Sequence, residues 1–196
     1  MSQIFPRFLA TPRLLLRRLR RDDGDALCGY RSLPEVARYQ GWESYGPEDA
    51  RRLIEDQKDA EPGIPGTWFQ VAVVERATNV VIGDCGLHCL ADEPQQMEFG
   101  VTLAPSHQGL GYAAEALECL IHFAFATLGM HRVLAITGDQ NQAAASLFRR
   151  LGFRQEAHHI EHRWYKGHWE SEFVFALLRR EWELRSQRNL EAGAEA

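Results

Sequence analysis

The stretch that decides the fold is Glu98-Phe-Gly-Val-Thr-Leu-Ala-Pro-Ser-His-Gln108-Gly-Leu-Gly111-Tyr-Ala113, a β-rich run that breaks at Ala104-Pro105 and passes through a glycine turn into a segment of helical period. Beyond it, Ala113, Leu117, Leu120, Ile121, Ala124 and Leu128 fall on one helical face, and Gly129 stops the helix. Before it, Trp68–Glu75, Val80–Leu90 and Met97–Leu103 are three β-rich runs joined by Arg76-Ala-Thr-Asn79 and Ala91-Asp-Glu-Pro94. Connections this short make antiparallel neighbours. A glycine turn at a helix N-terminus gathers backbone N–H groups where the helix dipole favours an anion, and no bulky side chain at Gly109 or Gly111 hinders a diphosphate. The glycines are equally consistent with nothing more than a tight strand-to-helix turn.

Outward from this centre, Leu14-Leu-Leu16 with Leu19 reads as a first strand, and Asp22-Asp23 offer caps for a helix to about Tyr30. Pro34 restarts a short helix, and Gly46-Pro47 opens another with Leu53-Ile54 on its apolar side. That helix stops before the breaker cluster Glu61-Pro-Gly-Ile-Pro-Gly66. On the C-terminal side, Val133–Thr137 is a strand, Asn141–Leu151 a helix ended by Gly152, and Phe153–Tyr165 with Trp169–Leu177 a hairpin turning at Lys166-Gly167. The order predicts an α/β sandwich of mixed strand direction. One domain over residues 8–182 is expected, followed by a polar tail, 183–196, that frays from Arg185 onward.

The composition agrees with a single soluble globular domain: 196 residues, 45% hydrophobic and 25% charged. A net charge of −5 leaves no basic field for a nucleic-acid backbone and suits a cationic partner. No apolar run reaches the 18 or more residues of a membrane span. Four cysteines without a secretory signal point to reduced thiols and a cytoplasmic location. Met1–Arg21 carries no acidic residue, as a transit peptide would, but Pro12 and the strand-like Arg13–Leu19 oppose a free amphipathic helix there.

Two phosphate-binding readings compete for the glycine turn, a dinucleotide fingerprint and a phosphate-transfer loop, and the second lacks its GK(S/T) anywhere in the chain. Gly109-Leu-Gly-Tyr-Ala-Ala114 matches the GxGxxA dinucleotide fingerprint, with Asp139 after the next strand. That fold, however, needs its glycines immediately after the first strand of a parallel series, whereas Ala104–Gln108 intervene and antiparallel strands precede. At the same residues Gln108-x-x-Gly111-x-Ala113 resembles the (Q/R)xxGx(G/A) signature of the GNAT superfamily of N-acetyltransferases. Thr11-Pro-Arg-Leu-Leu-Leu-Arg-Arg-Leu19 is similar to that family's opening strand, and Asn141 to Gly152-Phe153 resembles its second CoA-contacting helix. Gly167-His-Trp-Glu-Ser171 with the segment to Trp182 resembles the last strand of the Rim-type branch, which acetylates protein N-termini.

The resemblance implies an α/β fold with a mixed, mostly antiparallel central sheet and helices on both faces, whose two central parallel strands, Met97–Leu103 and Val133–Thr137, splay apart to admit acetyl-CoA. Main-chain groups of Val101 and Leu103 would bond the pantetheine amides. Gln108, Gly109, Gly111 and Ala113 would hold the diphosphate, and Asn141 would lie near the sulfur. The acceptor would be a primary amine, a protein N-terminus or a small molecule, that attacks directly in a ternary complex. An alkyl amine titrates near 10, so it needs a proton acceptor at neutral pH. Glu98, on the pantetheine strand, is the candidate; the competing reading is an ordinary surface or salt-bridged carboxylate. The tyrosine that many relatives use to protonate the leaving sulfur is Phe148 here, which leaves only packing against the cofactor. Ala144 replaces a serine of the Rim-type pattern. These two departures keep open a CoA-binding sensor or partner-binding protein without turnover.

Other constellations are weaker. Cys85-Gly-Leu-His88-Cys89 has metal-ligand residue types, but on a strand Cys85 and Cys89 face one side and His88 the other. Among His158, His159, His162 and His168, strand alternation puts His158 and His162 on one face, without a cysteine. No metal is expected. Trp42, Tyr45 and Trp68 either line the acceptor pocket or fill the core, with Trp42 and Trp68 the candidates for acceptor contact. A homodimer through the last hairpin remains open.

Overall fold

The computed structural model describes residues 4–194, with side chains as far as Arg188. The chain begins with β1 (Leu9–Ala10) and β2 (Leu14–Arg18), then α1 (Gly24–Arg31), α2 (Pro34–Ala37) and α3 (Pro47–Asp56). There follow β3 (Trp68–Glu75), β4 (Val80–Cys89), β5 (Gln96–Leu103), α4 (Tyr112–His122), β6 (Arg132–Gly138) and α5 (Gln142–Arg150). The chain closes with β7 (Arg154–Tyr165), β8 (His168–Leu178) and α6 (Arg179–Ala194). The strands form one eight-stranded sheet in the order β1-β2-β3-β4-β5-β6-β8-β7. Every neighbouring pair is antiparallel except β5 and β6.

The strand alternation sorts the sheet's two faces. Cys85, Leu87, Met97, Phe99, Val133, Ala135 and Phe175 point into one large core with Leu117 and Leu120 of α4 and Leu147 of α5. On the other face Asp84 of β4 meets Tyr30 and Arg31 of α1, beside a small cluster of Leu27, Tyr30 and Ala50. Helices therefore cover both faces, as the family resemblance implied. Cys85 and Cys89 are fully buried, and His88 is on the opposite face.

Four local features depart from the expectations. After α4 the helix widens into a π-turn over Phe123–Thr127, which lets consecutive Phe123, Ala124 and Phe125 all be buried. Phe5, before the expected start at residue 8, is 1% exposed and packs on Phe69 and Phe123, so the core begins earlier. The stretch read as a fraying tail continues the helix α6 through Ala194, and Arg185 turns back to bond the Leu151 carbonyl at the end of α5. Residues 195–196 of that tail lie outside the described residues.

The fourth departure corrects the histidine geometry. The β7–β8 register slips between His159 and Arg163, where Glu161 adopts a φ of +44°. Within the bulge the alternation is interrupted, so His158 packs on Phe173 while His162 turns to Glu172, the neighbour on the other face of β8. The hairpin itself closes on Lys166-Gly167 with φ of +46° and +84°, the positive values of a two-residue turn whose twist matches the flanking strands.

Candidate active site

The defining feature is where β5 and β6 part. Their parallel register covers Gln96↔Arg132, Met97↔Val133 and Glu98↔Leu134 only, yet β5 runs on to Leu103 and β6 to Gly138. Each strand stays paired on its outer side, β5 to β4 and β6 to β8, so the separation opens a slot between two rigid edges. The inner backbone groups beyond Glu98 have no strand partner across that slot. Buried peptide groups need partners, and an amide-bearing chain inserted here would supply them.

A groove of about 490 Å³ occupies the slot and its rim. Its floor is Val101, Thr102 and Leu103; one end is Gln108, Gly109, Gly111, Ala113 and Ala114; the far wall is Asn141, Ala143, Ala144, Ser146, Leu147 and Arg150. Glu35, Val36, Tyr39 and Gln40 of α2 and the turn after it roof it. Seven of the eight residues expected to touch the cofactor therefore line one groove. Phe148 does not: it is 4% exposed, with its ring against Phe153 and Phe175 in the core. Residue 148 follows Ala144 by one turn on the same side of α5, but its ring turns into the core against Phe153 and Phe175, so packing against the cofactor is not its placement.

Local chemistry shapes the anion end. Gly111 caps α4 in the left-handed region with φ +84°, and Gly109 takes φ +73°. A residue with a Cβ is strained in both places. A methyl at Gly109 would meet nothing within 4 Å, which leaves the loop's N–H groups uncovered. Gln108 folds back so that its Nε2 donates to the Leu103 carbonyl at 3.0 Å, tying the loop to β5. Arg13 from the approach to β2 donates to the Leu110 carbonyl at 2.9 Å and pairs with Glu115 at 2.6 Å, fixing the loop from outside. Arg150 brings a positive charge to the opposite wall. These features fit a diphosphate-bearing ligand. Asn141 caps α5, its Oδ1 accepting from Ala144 N at 3.1 Å, and its amide group remains on the groove side.

Glu98 occupies the last paired rung before the slot opens. Its side chain is 23% exposed and lies 3.6 Å from Nδ1 of His88, its cross-strand neighbour on β4. Burial pushes the Glu98 carboxyl up from its ordinary value, against the opposing pull of His88, with Glu172 adding to the rise and Arg163 offsetting it. Trp68 of β3 stacks on His88 with ring centroids 4.8 Å apart and is 42% exposed. Trp42 lies farther along the same face, its Nε1 donating to the Arg31 carbonyl at 2.9 Å and its ring under the Arg31 guanidinium. The hairpin tip closes over this side, with Lys166 Nζ donating to the carbonyls of Ala37 and Trp42, each at 2.6 Å.

Sequence reasoning did not find His88 as Glu98's neighbour, nor the roof from α2. The register Glu98↔His88 was within reach, because the turn between β4 and β5 is short; the roof depends on packing across more than 60 residues. Among the described residues, no three His, Cys, Asp or Glu side chains converge as metal ligands, and no helix is long and apolar enough to cross a membrane. The dinucleotide alternative fails on topology: β5–β6 is the sole parallel pair among the described strands, and Asp139 is engaged by His158 at 3.2 Å.

Comparison with known proteins gives the same assignment. Residues 13–154 match the family model described as an acetyltransferase (GNAT) domain. The uncharacterized N-acetyltransferase p20 of Bacillus licheniformis is 31% identical over 175 residues, covering 89% of this chain and 97% of that protein. A GNAT-family acetyltransferase from Bacillus anthracis superposes with a TM-score of 0.81 at 24% identity, over 89% of this chain and 99% of the other. A spermidine N-acetyltransferase from Vibrio cholerae, solved in complex with CoA and spermine, superposes with a TM-score of 0.75 at 20% identity, over 87% and 98% of the two chains. The splayed strands, the glycine turn and the matched family model together make this chain a member of the GNAT acetyltransferase family.

Proposed function

We propose that the protein transfers the acetyl group of acetyl-CoA to a primary amine, either a protein N-terminus or a small cationic amine, by direct attack in a ternary complex. The observation that carries this reading is the position of Glu98, a partly buried carboxylate at the mouth of the slot where β5 and β6 separate. Val101, Leu103, Gln108, Gly109, Gly111, Ala113 and Asn141 would hold the acetyl-CoA along the groove. Trp42 and Trp68 would flank the amine on the face that carries Glu98.

The chemistry follows from the groups present. A bound ammonium gives one proton to Glu98, which passes it to solvent. The neutral nitrogen attacks the thioester carbonyl carbon, the N–C bond forms and the C–S bond breaks. The nitrogen's second proton ends on the sulfur. A carboxyl raised by burial is a better proton acceptor than an exposed one near neutral pH. A thiol titrates near 8.5, so the sulfur departs as a tolerable leaving group without the hydroxyl that Phe148 lacks. Direct attack is favoured over a thiol relay because none of the four cysteines lines the groove, and burial raises each thiol.

The test is release of free CoA thiol from acetyl-CoA in a panel of primary amines that includes spermidine, aminoglycosides and N-terminal peptides. Intersecting double-reciprocal plots are expected for a ternary complex. Glu98→Gln should lower kcat by about a hundredfold or more, the usual share of general base catalysis. Thermal stabilisation by CoA with no amine-dependent thiol release from any member of the panel would replace this reading with that of a CoA-binding sensor.

A further inference from the structure

The side chain of His88 carries a role that the family signature does not assign. Its Nδ1 is buried and has no hydrogen-bond partner, a costly state for a polar atom. The nearest charged atom is Oε2 of Glu98 at 3.6 Å, a few tenths of an ångström beyond hydrogen-bond length. Catalytic hydrogen bonds are often this long before substrates bind and tighten in the complex. The ring cannot swing away freely, because it stacks face to face on Trp68, with an interplanar angle of 10°. Trp68 in turn sits over Gly86, where a Cβ would come within 2.8 Å of the indole. The absence of a side chain at residue 86 is thus what lets the indole lie flat and fix the imidazole.

Resting on the reading of Glu98 as proton acceptor, we infer that His88 is its positioning residue: Nδ1–H donates to Oε2, which keeps Glu98 ionised and leaves Oε1 turned to the incoming amine. The need for such a partner is physical. Burial disfavours the carboxylate, and a Glu98 protonated at rest accepts nothing. The charged and titratable groups facing Glu98 are His88 from β4, Glu172 from β8 and Arg163 from β7, with His162 bonded to Glu172. Glu172 pushes Glu98 toward its neutral form, and Arg163 is itself bonded to Glu172 at 3.0 Å. His88 is the neighbour whose polar atom is not already engaged. The proton count of acetyl transfer is unchanged, since His88 neither gains nor loses a proton over the cycle.

Two variants separate positioning from mere packing. His88→Phe keeps a ring to stack on Trp68 but removes the donor; His88→Asn loses the stack but keeps an amide N–H near the Nδ1 position. With the best acceptor from the amine panel, His88→Phe should move the acidic limb of the kcat/KM profile to higher pH and lower kcat about tenfold or more. His88→Asn should retain most of kcat, and KM for acetyl-CoA should not change in either. The opposite ranking, with Phe near wild type and Asn impaired, assigns His88 to packing and overturns the inference. A readout independent of any acceptor is the Glu98 carboxyl titration, followed by carbon-13 NMR in glutamate-labelled protein. It should move to higher pH in His88→Phe, and an unmoved titration overturns the inference as well. If Glu98→Gln keeps the wild-type rate, the reading of Glu98 itself falls; if Glu98→Gln is inactive while both His88 variants match wild type, only the role of His88 falls.

Discussion

Replacing Arg31 by methionine is expected to be among the most damaging single changes outside the groove, and to act on the acceptor side alone. Arg31 and Asp84 form an ion pair with side chains 5% and 3% exposed, joining α1 to the centre of β4. The guanidinium reaches both carboxylate oxygens, with Nε 3.2 Å from Oδ1 and Nη2 bonded to Oδ2. Tyr30 adds its hydroxyl to Oδ1 at 2.5 Å, and burial together with the Asp84 charge holds that phenol protonated well above its ordinary range. Arg31→Met leaves a buried carboxylate with one neutral donor. Breaking such a pair from one side costs about 3–5 kcal/mol, because the remaining charge is neither solvated nor paired. For a domain of this size each kcal/mol lowers Tm by roughly 2–4 °C, so a drop of about 6–20 °C is expected. Arg31→Met/Asp84→Asn removes the orphaned charge and should regain more than half of the loss in urea unfolding. The same guanidinium lies 4.5 Å over Trp42 and 5.1 Å over Tyr45, so the variant should raise KM for the amine and leave the dissociation constant of acetyl-CoA unchanged. A loss below about 1 kcal/mol, or a double variant no more stable than the single one, would refute the reasoning that a desolvated charge dominates this contact.

Other expectations follow from single features. Phe148→Tyr should not quicken turnover and should cost about 1–3 kcal/mol, because the added hydroxyl enters the packed ring cluster with Phe153 and Phe175; faster turnover with unchanged Tm would contradict it. Gly109→Ala pays about 1–2 kcal/mol of backbone strain at φ +73°. Calorimetry with CoA should also show about a tenfold or greater loss of affinity, the equivalent of roughly 1.4 kcal/mol, and full affinity would remove Gly109 from the diphosphate site. Hydrogen bonds from Arg132 and Arg154 hold the Glu156 carboxyl down at about 2. A carboxyl lower in the folded than in the unfolded state stabilises above its unfolded value, near 4.3, and that stability is lost as pH falls toward about 2. Glu156→Gln should therefore flatten the fall in urea midpoint between about pH 4.3 and 2, with a modest amplitude because the side chain is 29% exposed.

The sequence by itself determined whatever depends on neighbours along the chain. The glycine turn at Gly109–Gly111, the antiparallel run β3–β4–β5 and the hairpin at Lys166-Gly167 were legible because backbone chirality, loop length and hydrophobic period are local properties. Val101, Leu103, Gln108, Gly109, Gly111, Ala113 and Asn141 came together in one groove because the strand and helices that carry them were identified correctly, and rigid elements place their side chains by period. The tertiary structure alone decided what depends on registers and packing between distant segments. Phe148 turned inward because the core behind α5 takes its ring, and one bulge in β7 put His158 and His162 on opposite faces. Phe5 found its place against Phe69 and Phe123, and Arg31 met Asp84 across 53 residues. Local sequence sets which face a residue prefers, whereas its partners are chosen by the whole packed sheet, where the cost of leaving a buried charge or polar atom alone outweighs any local preference.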